Sequence, residues 1–312
     1  MNTIKKVIIF IIVILIITIG IVIYNIYNNN QINIITQEIK INGLPDEFDG
    51  FTILQIADLH SKSFGENQES LINIINEQTF DMIAICGDMQ DIHTEGFNEF
   101  IQLLEGIENK DEVYYTPGNH GPYPFENDEG FTNFLSDRFK RKNRYLLIEE
   151  RELTEAGEIL QELGVKFLDK AYEIKRGDKS IWVSELLYKS QLDYITNNQY
   201  DESGLNIAIT HYPMDDSFYE GASGEKIPQY DIVLAAHYHG GQWRIPGIGA
   251  VYIPNINKAE FFPDEEEVSG LIEYGGIRQY VTRGLGASGS YKFLRFRLFN
   301  RPEINLIKFV KE

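Results

Sequence analysis

Six histidines are spread over 312 residues, and five of them fall in one kind of place. The apolar run FTILQIA (51–57) ends in Asp58 and His60. DMIAIC (81–86) ends in Gly87 and Asp88, with Asp91 just beyond. EVYYT (112–116) ends in Pro117-Gly118-Asn119-His120, LNIAIT (205–210) in His211, and DIVLAA (231–236) in His237-Tyr238-His239. A neutral imidazole keeps one nitrogen lone pair free, a carboxylate offers acceptors alone, and an amide adds a carbonyl oxygen. Such a set binds a divalent cation. With Cys86 as the single cysteine, a thiolate zinc site is excluded, and the donors suit Mn²⁺, Fe or Zn²⁺. They also outnumber the needs of one ion. Two ions about 3.5–4 Å apart would share a carboxylate and a water.

Each motif alone has an ordinary explanation. Asp-Leu-His is common by chance, Gly-Asp and Pro-Gly-Asn-His make good turns, and a lone histidine is generally a satisfied core or surface residue. Their common position carries the reading. In open α/β sheets the carboxyl ends of strands border one crevice where ligands bind.

The elements that must bring these residues together are legible in outline. The apolar runs, with SIWVSEL (180–186), are short and nearly continuous, as in strands buried on both faces. Helical periodicity fills 67–78, 95–107 and 152–164, so strands and helices alternate early in the chain. The last third reads as strands and turns: AVYIPN (250–255), RQYVTRG (278–284), YKFLRFRLF (291–299) and PEINLIKFV (302–310). Two packed sheets with helices outside accommodate this order better than one doubly wound sheet. Residues 119–150 form a long connection and 186–204 a surface insertion; loops of this length tend to be functional or mobile.

Ahead of this body, Lys5 and Lys6 precede the uncharged run VIIFIIVILIITIGIVIY (7–24). About 20 apolar residues span a bilayer as a helix. No small-residue cleavage site follows, so the reading is an uncleaved, single-pass signal anchor. Its lysine flank places the N-terminus inside and the body outside the cytoplasm. Asn25 to about Gln31 reads as an Asn-rich linker and 32–41 as a first strand. The division is therefore 1–28 anchor, 29–50 linker and first strand, and 51–312 catalytic body. The net charge is −19, of which +2 sits at Lys5 and Lys6, so residues 38–312 carry −21. That charge opposes nucleic-acid binding but leaves room for a locally cationic pocket. No motif marks a protein partner.

The ordered set Asp58-x-His60, Gly87-Asp88, Gly118-Asn119-His120, His211 and His237-x-His239 resembles the calcineurin-like metallophosphoesterase superfamily, over about residues 51–240. GLPDEFDGFTILQIADLH (43–60), HYHGGQWRIPG (237–247), YVTRGLGASG (280–289) and RFRLFNRPEINLI (295–307) are similar to its membrane-anchored branch. The resemblance implies a four-layer αββα sandwich, with two central mixed β-sheets flanked by helices. It implies that Asp58, His60 and His239 hold a first metal ion, that Asn119, His211 and His237 hold a second, and that Asp88 bridges them. His120 would stand beside the ions and protonate the leaving group, with Asn119 helping to stabilise the transferring phosphoryl. Manganese is the favoured ion. The implied activity is hydrolysis of a phosphodiester, pyrophosphate or phosphate monoester by a metal-activated hydroxide, on a small-molecule, lipid-linked or cell-envelope substrate. The alternative is a non-catalytic, metal-bearing interaction module of the same fold.

Two positions depart from the family pattern. Gly121 stands where an acid usually follows Gly-Asn-His and orients the histidine, a task that Asp91 could take over. Ala236 stands where glycine usually precedes the last His-x-His, with little effect expected. Outside the motifs, His93 reads as a surface residue and Cys86 as a core residue beside the site. Arg244 and Arg283 read as packing or surface arginines that could alternatively meet a phosphate. Phe261 and Phe262 in AEFFPDEEE (259–267) read as core, with a lid as the other reading.

Overall fold

In the computed structural model, residues 3–126, 151–187, 204–214, 228–254, 259–289 and 295–312 are described. Two six-stranded mixed sheets carry the site. Strands β1 (Asn33–Ile41), β2 (Thr52–Ile56), β3 (Met82–Ile85), β4 (Val113–Tyr115), β5 (Val165–Phe167), β6 (Tyr172–Arg176), β7 (Lys179–Glu185), β8 (Leu205–Ile209) and β9 (Ile232–Ala235) come first in the chain. The short hairpins β10 (Arg244–Ile245) with β11 (Gly249–Ala250) and β12 (Tyr252–Pro254) with β13 (Ala259–Phe261) follow. Strands β14 (Gly270–Tyr274), β15 (Ile277–Val281) and β16 (Glu303–Lys311) close the order. The first sheet runs β1-β16-β2-β3-β4-β5 and the second β14-β15-β9-β8-β7-β6.

Four of the apolar runs predicted as doubly buried strands are so: β3, β4, β8 and β9 are buried at every residue, whereas β7 is exposed at Lys179 and half-buried at Ser180 and Trp182. Alternate residues face two compartments. Ile53, Met82 and Ala84 meet Ile181, Ile207, Ile232 and Leu234 between the sheets. Leu54, Ile56, Ile83 and Ile85 face outward and are covered by helices α2 (Glu69–Asn76), α3 (Asn98–Gly106) and α4 (Glu155–Glu162), through Leu71, Ile75, Phe100, Leu103, Leu104 and Leu160. Thr154 caps α4, its Oγ1 accepting from the Gly157 N–H at 3.0 Å. The three helices fall within the stretches their periodicity predicts. The far face of the second sheet is covered by the one-turn helix α5 (Glu265–Val268) and the β10–β13 hairpins, whose Val268, Ala250 and Ile253 pack on Ala235 and Val281. Most of the insertion read at 186–204 and of the connection read at 119–150 lies outside the described residues. YKFLRFRLF (291–299) lies partly outside them, and its described part joins the fold through a Trp243–Leu298 bridge rather than a strand.

Register positions the site. β2, β3 and β4 are parallel, with Ile56 beside Ile85 and Ile85 beside Tyr115. β8 and β9 are parallel, with Ile209 beside Leu234. The loops carrying the candidate ligands therefore leave their sheets at matching heights. The sheets are tied at that end by Gln55, whose Nε2 donates to the Ala235 carbonyl at 2.9 Å.

The Asn-rich stretch after the apolar run is not a linker. A single helix, α1, runs from Thr3 to Asn29, long and apolar enough to cross a membrane. Its last two turns dock on residues 295–301. Asn25 and Asn29, one turn apart on the same face, bracket the Arg297–Phe299 backbone. Both Nδ2 groups donate to the Arg297 carbonyl, Asn29 Oδ1 accepts the Arg297 N–H at 3.2 Å, and Asn25 Oδ1 accepts the Phe299 N–H at 3.1 Å. Asn28 Oδ1 accepts from Arg301 Nε at 2.8 Å. Amides serve here as a strand edge would, which lets polar groups be buried at no hydrogen-bonding loss. The strand predicted at 32–41, β1, pairs in parallel with β16 along its whole length and so belongs to the first sheet rather than to a spacer.

Candidate metal centre

The loops that leave the strands are zipped to one another. The Asp58 N–H donates to Gly87 O at 2.9 Å, His60 N–H to Asp88 O at 3.0 Å, Asp88 N–H to Pro117 O at 3.1 Å, and Ala236 N–H to His211 O at 3.0 Å. Their backbones bend sharply. Asp58, His60, Asp88, His237 and His239 all take positive φ, between 47° and 74°. Asp and His enter this region more readily than most residues. The conformation still costs of order 1 kcal/mol or more at each, and persists because the surroundings enforce it. Glycine makes two close approaches possible. A Cβ on Gly118 would lie 2.2 Å from Asp88 Oδ1, and one on Gly284 would lie 2.6 Å from Asp58 Oδ2.

The eight side chains singled out by the sequence converge. Three groups have ligand atoms within 4.8 Å of one another and could hold a metal ion: Asp58 with His60 and His239, Asp88 with His211 and His237, and His60 with Asp88 and His120. Asn119 joins the second group, its Oδ1 lying 3.1 Å from His211 Nε2. Asp88 stands between the groups and divides its oxygens. Oδ1 accepts the N–H groups of Asn119 and His120, both at 2.8 Å. Oδ2 faces ring nitrogens of His211 at 3.2 Å, His60 at 3.6 Å and His120 at 4.0 Å.

The protonation pattern suits a cation. His211 Nδ1 lies 2.8 Å from the Cys86 carbonyl, which fixes that nitrogen as the N–H. In the neutral ring Nε2 carries the lone pair, and it is aimed at Asn119 Oδ1, His237 Nδ1 at 3.0 Å and Asp88 Oδ2. Four electron-rich atoms meeting at one point want a positive charge between them. Asp58 is fully buried and neither oxygen has a well-formed hydrogen-bond partner, nor has either nitrogen of His60 or Nδ1 of His239. Burial pushes the Asp58 carboxyl up, and neither His211 nor the His237 N–H offsets it. Burial pushes His60 down to about 3 and holds His237 and His239 well below the ordinary imidazole range, so all three offer neutral lone pairs. Burial also pushes Asp88 up, but the His211, His120 and His60 imidazoles outweigh it and keep Asp88 ionised. For His211 burial is outweighed by Asp88, which raises it. An isolated buried carboxylate costs several kcal/mol; a divalent ion between these groups removes that cost.

His120 packs edge-on against His60, with ring centroids 4.7 Å apart, and its Nδ1 has no hydrogen-bond partner. Asp91 does not orient it. That carboxylate pairs with Arg295 at 3.2 and 3.4 Å and accepts the His93 N–H at 2.8 Å. Gly121 has φ +83°, and a Cβ there would lie 3.0 Å from the Tyr123 nitrogen, so the backbone itself disfavours the family's usual acid. Ala236 is buried and outside the positive-φ set, as its small size led one to expect. Cys86 is buried, with its thiol raised by burial, and His93 is exposed. Arg244 and Arg283 are structural: both pair with Glu265, and Arg283 Nε also donates to Ser269 Oγ at 2.7 Å. Phe261 and Phe262 are not core; they are exposed on and just after the β13 hairpin, Phe261 resting on Tyr252.

Sequence reasoning passed over Arg297, a fully buried residue. Its guanidinium donates to the carbonyls of Gly286 at 2.6 Å, His239 and Arg283, bracing the loops beneath the site. The visible signal was three arginines in seven residues, Arg295, Arg297 and Arg301, in a strongly acidic chain.

The family model for the calcineurin-like phosphoesterases matches residues 51–241, and the chain belongs to that family. It is thus a phosphoesterase hydrolase of a family that uses divalent metal ions. It is 26% identical over 194 residues to the uncharacterized metallophosphoesterase Cj0846 of Campylobacter jejuni, covering 61% of this chain and 44% of that protein. The match to the metallophosphoesterase YkoQ of Bacillus subtilis is 24% over 284 residues, 86% of this chain and 90% of the other. A transmembrane protein with metallophosphoesterase domain from Danio rerio is 21% identical over 241 residues, 73% of this chain and 49% of that one. The chain therefore spans less than half the length of the Campylobacter and Danio relatives.

Proposed function

We propose that this chain is a membrane-anchored, dinuclear-metal phosphoesterase acting outside the cytoplasm. In this reading Asp58, His60 and His239 would hold one ion, Asn119, His211 and His237 would hold the other, and Asp88 would be shared between them. The buried carboxylate of Asp58, facing two neutral imidazoles with no well-formed hydrogen bond to either oxygen, carries it. When bound, such a pair of ions activates a shared water and neutralises phosphate charge.

The chain's own groups do the rest. Asp88 Oδ1, held by two backbone N–H groups, fixes the loop that presents Asn119 and His120. Asn119, with Oδ1 turned toward the ligand cluster, can use its amide N–H₂ to stabilise charge on the transferring phosphoryl oxygens. His120 holds no hydrogen bond at Nδ1 and can carry a proton to the leaving oxygen. Helix α1 is the anchor, and Lys5 and Lys6 on its N-terminal flank support an outward-facing body. The substrate is a phosphodiester, pyrophosphate or phosphate monoester.

The test uses the full-length chain in detergent, stripped of metal. Mn²⁺-dependent, saturable hydrolysis of an aryl phosphodiester, abolished in Asp88→Asn, supports the reading, and the diester-to-monoester ratio narrows the substrate. Turnover that survives Asp88→Asn overturns it.

A further inference from the structure

A cavity of about 680 Å³ runs between α1 and the metal centre, a size typical of sites that enclose a small-molecule ligand. Its two ends differ in chemistry. One wall is apolar: Ile21, Val22 and Ile26 of α1 face Phe296 and Leu298 of the returning segment, and most of these side chains stay substantially exposed. The other end is polar and holds His60, which belongs to the candidate metal centre, with Lys62, Asp91 and Arg295 beside it, the last two paired with each other.

The position of α1 gives this polarity a meaning. The apolar run of the helix ends at Tyr24, so Ile21 and Val22 lie at the edge of the membrane-spanning part. At 1.5 Å per residue, only about 10 Å of helix separates Val22 from Asn29. Asn29 is itself fastened to the site, its carbonyl accepting from Lys62 Nζ and its side chain from Arg297. The cavity therefore joins the hydrocarbon boundary to the metal centre. At its inner end the ions that the centre would hold match a phosphate, with Lys62 and the Arg295–Asp91 pair beside them, and its apolar end matches an alkyl chain.

We propose that this cavity seats the alkyl tail of a membrane lipid phosphoester whose phosphate lies at the metal centre, so that α1 forms one wall of the substrate site. The proposal rests on the phosphoesterase reading and deepens it.

The test uses the full-length chain in lipid nanodiscs with Mn²⁺ and a series of p-nitrophenyl alkyl phosphates, methyl to dodecyl, which share one leaving group. Burial of each methylene favours binding up to about fourfold, and an expected rise in kcat/KM of at least 30-fold from methyl to dodecyl allows for partial burial. Filling the groove with Val22→Phe/Ile26→Phe is expected to collapse that dodecyl-to-methyl ratio about tenfold. A flat series in the wild type overturns the proposal. So does an equal rise in wild type and variant, which would reflect partition into the bilayer or a wall covered by protein.

A second readout needs no turnover. Trp243 stacks on Phe296 at 5.2 Å, so a brominated dodecyl phosphate in the cavity quenches its emission, with Trp243→Phe as the blank. Quenching that the double variant lowers supports the cavity even if no ester is hydrolysed, an outcome in which the phosphoesterase reading alone fails. Quenching that is absent, or unchanged in the variant, overturns the cavity assignment.

Discussion

Gly118→Ala separates two costs that usually travel together. Gly118 has φ +73°, and an added Cβ would lie 2.2 Å from Asp88 Oδ1, 2.9 Å from Asp88 N and 3.0 Å from His211 Cγ. Gly43 has nearly the same φ, +72°, with nothing within 4 Å of its Cβ position. Gly43→Ala thus reports the dihedral cost alone, about 1 kcal/mol. Gly118→Ala adds displacement of an oxygen that accepts two N–H groups at 2.8 Å. Hydrogen bonds to a charged group contribute about 1.5–3 kcal/mol each, so weakening both brings the total to roughly 4 kcal/mol. At roughly 2–4 °C per kcal/mol for a chain of this order of size, Tm should fall by about 10 °C, against about 3 °C for Gly43→Ala. Disturbing the support of a ligand lowers metal affinity 10–100-fold, and Gly118→Ala should reach the upper end while Gly43→Ala binds as wild type. Thermal unfolding by circular dichroism and Mn²⁺ calorimetry read the two effects. Equal Tm losses in the two variants, with unchanged affinity in both, would show that Asp88 is not held as described.

His120→Gln should keep both ions and slow hydrolysis of an alkyl phosphodiester by about 10²–10⁴. The loss should be much smaller for a nitrophenyl ester, whose leaving group needs no proton; equal losses would remove His120 from that role. His211 is raised by Asp88, and the Asp58 carboxyl is raised by burial. Both hold protons in the metal-free chain to higher pH than free groups do, and must lose them to bind. Metal affinity should therefore rise with pH through and above 6.5, with proton release visible by calorimetry in buffers of different ionisation enthalpy. A pH-independent affinity between 6 and 8 would contradict this. Arg297→Leu removes the guanidinium donor from the Gly286 and Arg283 carbonyls, while the His239 carbonyl keeps Asn300 Nδ2, and should cost about 3 kcal/mol by denaturant unfolding at fixed metal concentration.

The convergence of the candidate site was legible because its logic is local. Each donor follows a buried strand, and parallel register carries all five strand ends to one level, so Asp58, His60, Asp88, Asn119, His120, His211, His237 and His239 could be named before their contacts were known. What the sequence hid depends on chain segments far apart. Asn25, Asn28 and Asn29 read as a polar spacer because asparagine is a turn former. They continue the helix because residues 297–301 supply backbone partners across more than 260 positions. Arg297 looked like one more charge in an amphipathic strand, yet three carbonyls converge on it. Asp91, three residues past Asp88, was offered as the carboxylate that orients His120, and Arg295, more than 200 residues away, takes it instead. Phe261 and Phe262 read as core from hydrophobicity alone, a one-way rule that their exposed hairpin breaks.

The decisive measurement is metal stoichiometry against turnover. Metal-free full-length chain titrated with Mn²⁺, with bound ion counted and aryl phosphodiester hydrolysis followed in the same samples, should take up two ions per chain. Activity should appear with the second, and Asp88→Asn should lose both the second ion and the activity. Full activity at one ion per chain, or two ions retained with activity in Asp88→Asn, would contradict a bridged dinuclear centre.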